Sequence, residues 1–250
     1  MKKIITTAIL VGLTAVVVAE TDPIAEQKFQ EYQLQWAKEH FAKQGVPVPD
    51  GGVVLKSVAA MSNYAALRSN RARIKKEVAT LGYMSAYSAR AEQLLNFNPE
   101  IKPVNYKASN TDLKPSINDL KMAYTFVGVP ENDIAEIIGF SPYLTYLKDQ
   151  GWVGAIEFFR NPIIGTCAYS ENNVRLSHGS IIVAQEDATV DINGKVTIEE
   201  VIGNNSAGFL YNVEWYDQTF FRQLECANKQ FSDSLKQDVI ELAKHIDAAQ

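Results

Sequence analysis

A change of period at Trp152 restricts the fold more than any other feature of this chain. Downstream of it, Phe209, Tyr211, Val213 and Trp215 alternate with Leu210, Asn212, Glu214 and Tyr216. That two-residue repeat is the pattern of a strand with one buried face. Residues 180–184 form a short apolar run, and residues 203–208 read as a hairpin loop between apolar segments. Upstream, apolar residues recur instead at helical spacing: Ala25, Phe29, Tyr32 and Trp36, then Val54, Val58, Met61 and Ala65, then Ile74, Val78, Leu81 and Met84. Leu235, Val239, Leu242 and Ile246 step by four, three and four at the other end, with Ser232 or Ser234 as cap.

The expected class is therefore α+β. An N-terminal helical hairpin occupies residues 20–97, and Gly82 marks a break within it. A linker or long loop with Pro99, Pro103 and Pro115 spans 98–116. A mixed region at 117–250 carries an antiparallel sheet of four or five strands and a C-terminal helix. Residues 117–150 read as short helical pieces broken by Pro130, Gly139 and Pro142.

Residues 1–19 have the layout of a cleaved signal peptide: Lys2 and Lys3, an uncharged apolar run at 4–18, and small residues Val17 and Ala19. The Met-Lys-Lys start is of bacterial type. The expected location is periplasmic or secreted, with no integral span after cleavage. In such a compartment Cys167 and Cys226 form a disulfide by default. At 46% hydrophobic and 21% charged the composition is globular, and the net charge of −5 opposes nucleic-acid binding.

Residues 189–200 resemble the calcium loop of an EF-hand, with Asp191 third, Asn193 fifth, Gly194 sixth and Glu200 twelfth, but Thr189 stands where the first Asp belongs. Asn193-Gly194 between β-branched residues favours a β-hairpin over such a weak calcium site. A three-residue loop would set Asp191 opposite Lys195 and Val190 opposite Val196. Asp133 to Ser141 resembles part of the helix-turn-helix of AraC-type regulators; the bland alternative is a short helix ending at Gly139. Arg68, Arg71, Arg73, Lys75 and Lys76 spread around a helix and read as a solvated face.

Aromatic density between Tyr124 and Phe159 offers core packing or a ligand site, with Tyr143, Tyr146 and Trp152 as ligand-binding candidates. Ser177-His178 is the one place with nucleophile-like and base-like residues together, and adjacent strand residues face opposite ways. His40, His178 and His245 lack metal-ligand spacing, and no motif calls for a cofactor. The reading is an exported binding protein with a protein partner. The rivals are a hydrolase of envelope polymers or lipids, a binder of a small hydrophobic ligand or sugar, and a weak calcium binder.

Overall fold

The computed structural model describes residues 52–57, 59, 64–97, 113–188 and 190–250. The elements are β1 (Gly52–Lys56), α1 (Tyr64–Leu81), β2 (Met84–Ser85), α2 (Ala89–Leu95), β3 (Glu136–Leu147), β4 (Gly151–Asn161), β5 (Gly165–Asn173), β6 (Ser180–Ala184), β7 (Val190–Ile192), β8 (Lys195–Asn204), β9 (Gly208–Tyr216), β10 (Phe220–Asn228) and α3 (Asp233–Ala248). The main sheet runs β2-β8-β9-β10-β5-β4-β3, with β7 paired to β8 off this path. Its pairs are antiparallel except β2 on β8, and β1 pairs separately with β6 in parallel. The α+β class holds, and the sheet is larger than the four or five strands expected. Among the described residues, no helix is long and apolar enough to cross a membrane.

Two expectations are corrected. The second arm of the expected helical hairpin, the part with Val54 to Met84, is not continuous helix up to Gly82. β1 precedes α1 because Gly52, Val53, Val54 and Leu55 pair with the apolar run of β6, and β-branched residues favour a pleated, paired surface. Gly82 ends α1 at φ +81°, where an added Cβ would stand 2.6 Å from Phe231. The Ser88 hydroxyl then caps α2 by accepting from Ala91 N–H. The first helix of the expected hairpin, like the signal segment and most of the linker, lies outside the described residues.

The second correction is β3, expected as broken helix. Short 3₁₀ turns at Ile117–Asp119 and Glu131–Asp133 do occur, but the segment after them is a strand. Ile137, Ile138, Phe140, Tyr143 and Tyr146 suit a sheet surface. The two supposed helix breakers are absorbed by strand devices. A register shift accommodates Gly139, and Pro142 sits on an edge strand, where a missing N–H is tolerated.

One face of the sheet makes the core. Phe159, Tyr169, Phe209, Tyr211, Val213, Trp215 and Leu224 pack against Val239, Ile240, Leu242, Ala243 and Ile246 of α3. Burying each large apolar side chain contributes roughly 1.5–3 kcal/mol. α3 begins at Ser232, whose hydroxyl accepts from the N–H groups of Ser234 and Leu235. Cys167 and Cys226 face each other directly across β5 and β10, fully buried, with Cα atoms 4.1 Å apart, and are joined by a disulfide.

The hairpin at Asn193-Gly194 forms with a two-residue loop, not three. Ile192 opposes Lys195, Asp191 opposes Val196 and Val190 opposes Thr197. Both turn residues have positive φ, 51° and 82°, as a type I′ turn requires. The register answers to a distant residue. Asp247 in α3, its side chain 2% exposed, accepts from Lys195 Nζ at 2.6 Å, Asn193 Nδ2 at 3.1 Å and Trp215 Nε1 at 3.0 Å. Ile192 is buried, and its N–H donates to Thr197 Oγ1.

Two predictions follow from these ties. Reducing Cys167–Cys226 lowers urea-unfolding stability by about 4 kcal/mol, the chain-entropy value for a loop of about 60 residues. Asp247→Ala strands the Trp215 donor and costs about 2–4 kcal/mol. Hydrogen exchange in that variant shows lost protection at Ile192 and Lys195, while Leu224 stays protected.

Candidate binding face

Directly opposed residues share a face, so the register also defines the side of the sheet away from α3. One row there runs Glu200, Asn212, Glu225, Ala168 and Phe158 from β8 to β4. The next runs Ile198, Glu214, Gln223, Ser170 and Ile156, and the third Val196, Tyr216, Phe221, Asn172, Gly154 and finally Tyr143 on β3. α2 closes one end by packing Ala91 and Leu94 on Phe158, Ala168, Leu210 and Ala227. Away from α2, polar side chains replace apolar ones on β5, β9 and β10.

These polar groups form a network. Asn212 Nδ2 donates to Glu200 Oε1 at 3.2 Å and Glu214 Oε1 at 3.3 Å. Gln223 Nε2 donates to Asn212 Oδ1 at 2.9 Å and Glu214 Oε1 at 3.4 Å. The Tyr216 hydroxyl donates to Glu214 Oε2, and its ring stacks on Phe221 at 5.3 Å. Glu225 is the carboxylate with a cation: Arg90 of α2 reaches its Oε2 at 2.7 Å. Among the described residues, no cation is paired with Glu200 or Glu214. The Glu200 residue is exposed, yet its carboxyl group is crowded. Burial pushes its pKa up, Asn212 opposes this, and the negative Glu214, Asp187 and Glu225 add to it.

Tyr143 lies over Gly154, where an added Cβ would stand 3.2 Å from its Cδ1 and 2.8 Å from Glu171 O. Burial pushes its hydroxyl up to about 12, with Glu225 and Glu214 adding and Arg90 opposing. Opposite Gly154 stands Asn172, 5% exposed, whose buried Oδ1 has no hydrogen-bond partner. Buried carbonyl oxygens are nearly always paired, and an orphan calls for an explanation.

The structure brings Tyr143, Tyr146 and Trp152 to this one face. Tyr146 opposes Trp152, their rings 5.2 Å apart and nearly perpendicular. Asn193 and Glu200 are not brought together. Asn193 turns to α3, where its amide donates to Lys244 O and Asp247, while Glu200 takes the Asn212 amide on the other face. Asp191 lies on β7 opposite Val196. The Ser177 hydroxyl donates to Val174 O, and His178 sits in a tight turn at φ +51°. Of the basic helix residues, Arg71 pairs with Asp187 and Arg73 with Glu77. Asn172, Gln223 and Glu225 went unrecognised in the sequence; their signal was the polar half of the strand alternation.

Further ionisable groups lie on the core face. Arg222 donates to Glu171 Oε2 at 2.7 Å and Asp217 Oδ2 at 2.8 Å, and lies over the Phe220 ring. Asp217 also accepts from the N–H groups of Thr219 and Phe220, so this set locks the β9–β10 turn. Glu157, 3% exposed, accepts from Val129 N–H at 2.9 Å. Burial pushes it from 4.5 up to about 7, against the opposing Val129 bond. A shallow cavity of 280 Å³ lies elsewhere, between Leu95, Asn96 and the 205–208 loop.

The Glu157 shift has a definite sign. A carboxyl whose folded pKa is raised stabilises the fold fully below its unfolded value and loses that contribution as pH rises through its folded value. Between pH 4.5 and 8 the wild type therefore loses roughly 3 kcal/mol relative to Glu157→Gln, read from urea melts of both proteins across that range.

No protein-family model matches the chain, and neither a curated protein nor a solved structure is significantly similar to it.

Proposed function

We propose that the chain is an exported, non-enzymatic binding protein whose ligand surface is the polar face of β5, β9 and β10. The observation that carries this reading is the orphaned Asn172 Oδ1, buried on a face that also holds two carboxylates without a described cation. An unpaired buried acceptor costs about 1–3 kcal/mol. A fold under no demand but stability would place an apolar residue there. Tyr143, Tyr216 and Phe221 add rigid aromatic area beside it, the composition of a recognition surface. The disulfide is in keeping with an oxidising compartment.

Asn172→Leu separates a binding role from a structural one. The variant is expected to melt no lower than the wild type, because the orphan is gone. It is also expected to lose the thermal shift that sugars, amines, peptides or envelope extracts give the wild type. A variant that melts several degrees lower and binds as before would make Asn172 structural and end this assignment.

A further inference from the structure

We infer that Asn193 is a site of spontaneous covalent modification, a self-deamidating asparagine, and that its conversion unlatches the β7–β8 hairpin from the last turns of α3. The site lies on the α3 side of the sheet and does not depend on the binding face. Asn193-Gly194 is the one Asn-Gly step in the chain. Glycine has no Cβ to shield its backbone nitrogen, so that nitrogen can approach the asparagine side chain closely. Both residues are exposed, and a Cβ added at Gly194 would meet nothing within 4 Å. Water and hydroxide therefore reach the reacting atoms.

The reaction needs only water. Gly194 N gives its proton to hydroxide and attacks Asn193 Cγ. The new N–Cγ bond closes a five-membered imide; the Cγ–Nδ2 bond breaks, and ammonia leaves with a proton from water. Water then opens the imide at either carbonyl and leaves aspartate or isoaspartate at position 193, with nothing oxidised or reduced. The folded turn opposes this. Asn193 Nδ2 donates to Lys244 O at 3.0 Å and Asp247 Oδ2 at 3.1 Å, which occupies both amide hydrogens. Asn193 also sits at φ +51° in a type I′ turn, whose ψ the imide ring cannot keep. Reaction waits for α3 to release the side chain, and Asp247 sets how often that happens.

The product cannot dock as the amide did. A carboxylate there presents only acceptors to Lys244 O and to Asp247, whose side chain is 2% exposed, and neither has a hydrogen to share. Lys195 Nζ, 2.6 Å from both Asp247 oxygens, is then divided between two carboxylates. Isoaspartate also adds a carbon to the backbone of a two-residue loop, whose length fixes the hairpin register. The change runs one way, so it marks the age of the molecule.

Timed incubation of the full, disulfide-intact chain in mildly alkaline buffer tests this, with peptide mass spectrometry reading position 193. Deamidation is expected to be at least tenfold slower in the native wild type than in the same chain unfolded in urea. It is expected to be at least tenfold faster in folded Asp247→Ala than in the native wild type. The deamidated wild-type chain, separated by its added negative charge, is expected to lose hydrogen-exchange protection at Ile192, Lys195 and Ile246 while Leu224 stays protected. Asn193→Asp, which carries the aspartate product from the start, shows the same loss and keeps the test readable should Asp247→Ala fold poorly. An unfolded chain that does not deamidate at position 193 overturns the modification site. Equal rates in the native and unfolded chains, or no acceleration in folded Asp247→Ala, overturn the control by α3. Native protection in the deamidated chain and in Asn193→Asp overturns the latch.

Discussion

The sheet depends on the seam between β5 and β10. It consists of two local meanders, β3-β4-β5 and β8-β9-β10, each held by pairings between strands near in sequence. Only β5 against β10 joins them, across a separation of 59 residues at the cysteines. Closing so long a loop costs chain entropy before any pairing offsets it. The seam carries reinforcement to match. The disulfide ties one end, and the Arg222–Glu171 pair and the Val174 N–H to Thr219 O bond tie the other. With the seam closed, Tyr169, Leu224 and Trp215 come to one surface, and α3 has a face to cover.

That seam also creates the candidate site. Ser170 and Asn172 belong to one meander, Gln223 and Glu225 to the other. Strand alternation couples the two faces rigidly: a register that puts Cys167 against Cys226 must also put Ser170 against Gln223 and Asn172 against Phe221. The buried rivet on the core side therefore fixes the spacing of the polar groups on the other. A site built on paired strands keeps its geometry better than one on loops.

Legibility in the sequence follows the range of the deciding interaction. β9, β6 and α3 were readable because the deciding pattern, alternation or helical stepping, lies inside each segment. The cysteine pair was readable because the chain offers two. β3 was not, since Gly139 and Pro142 act as helix stops or strand irregularities depending on whether β4 lies alongside. The hairpin was legible and its register was not, because the choice rests with Asp247, more than fifty residues away, holding Lys195 and Asn193. Tyr143, Tyr146 and Trp152 stood out as aromatics, and they do share a face. Asn172 looked like any strand asparagine, and only the finished sheet shows that nothing answers its oxygen.

The polar face is hard to explain as a stability device. The core on the other side is continuous, and α2 already shields the apolar end with Ala91 and Leu94. Placing Glu200 and Glu214 side by side, linked through one amide, concentrates like charge where an alternation of Thr and Lys would have satisfied an exposed sheet. The raised Glu200 and Tyr143 pKa values express that cost, since each charged form is penalised by burial and by the neighbouring carboxylates. Sequences that retain such a cost in an otherwise well-satisfied fold generally do so where something must bind. The unpaired oxygen of Asn172 lies on that same face of the sheet, which makes binding a simpler account of the face than stability.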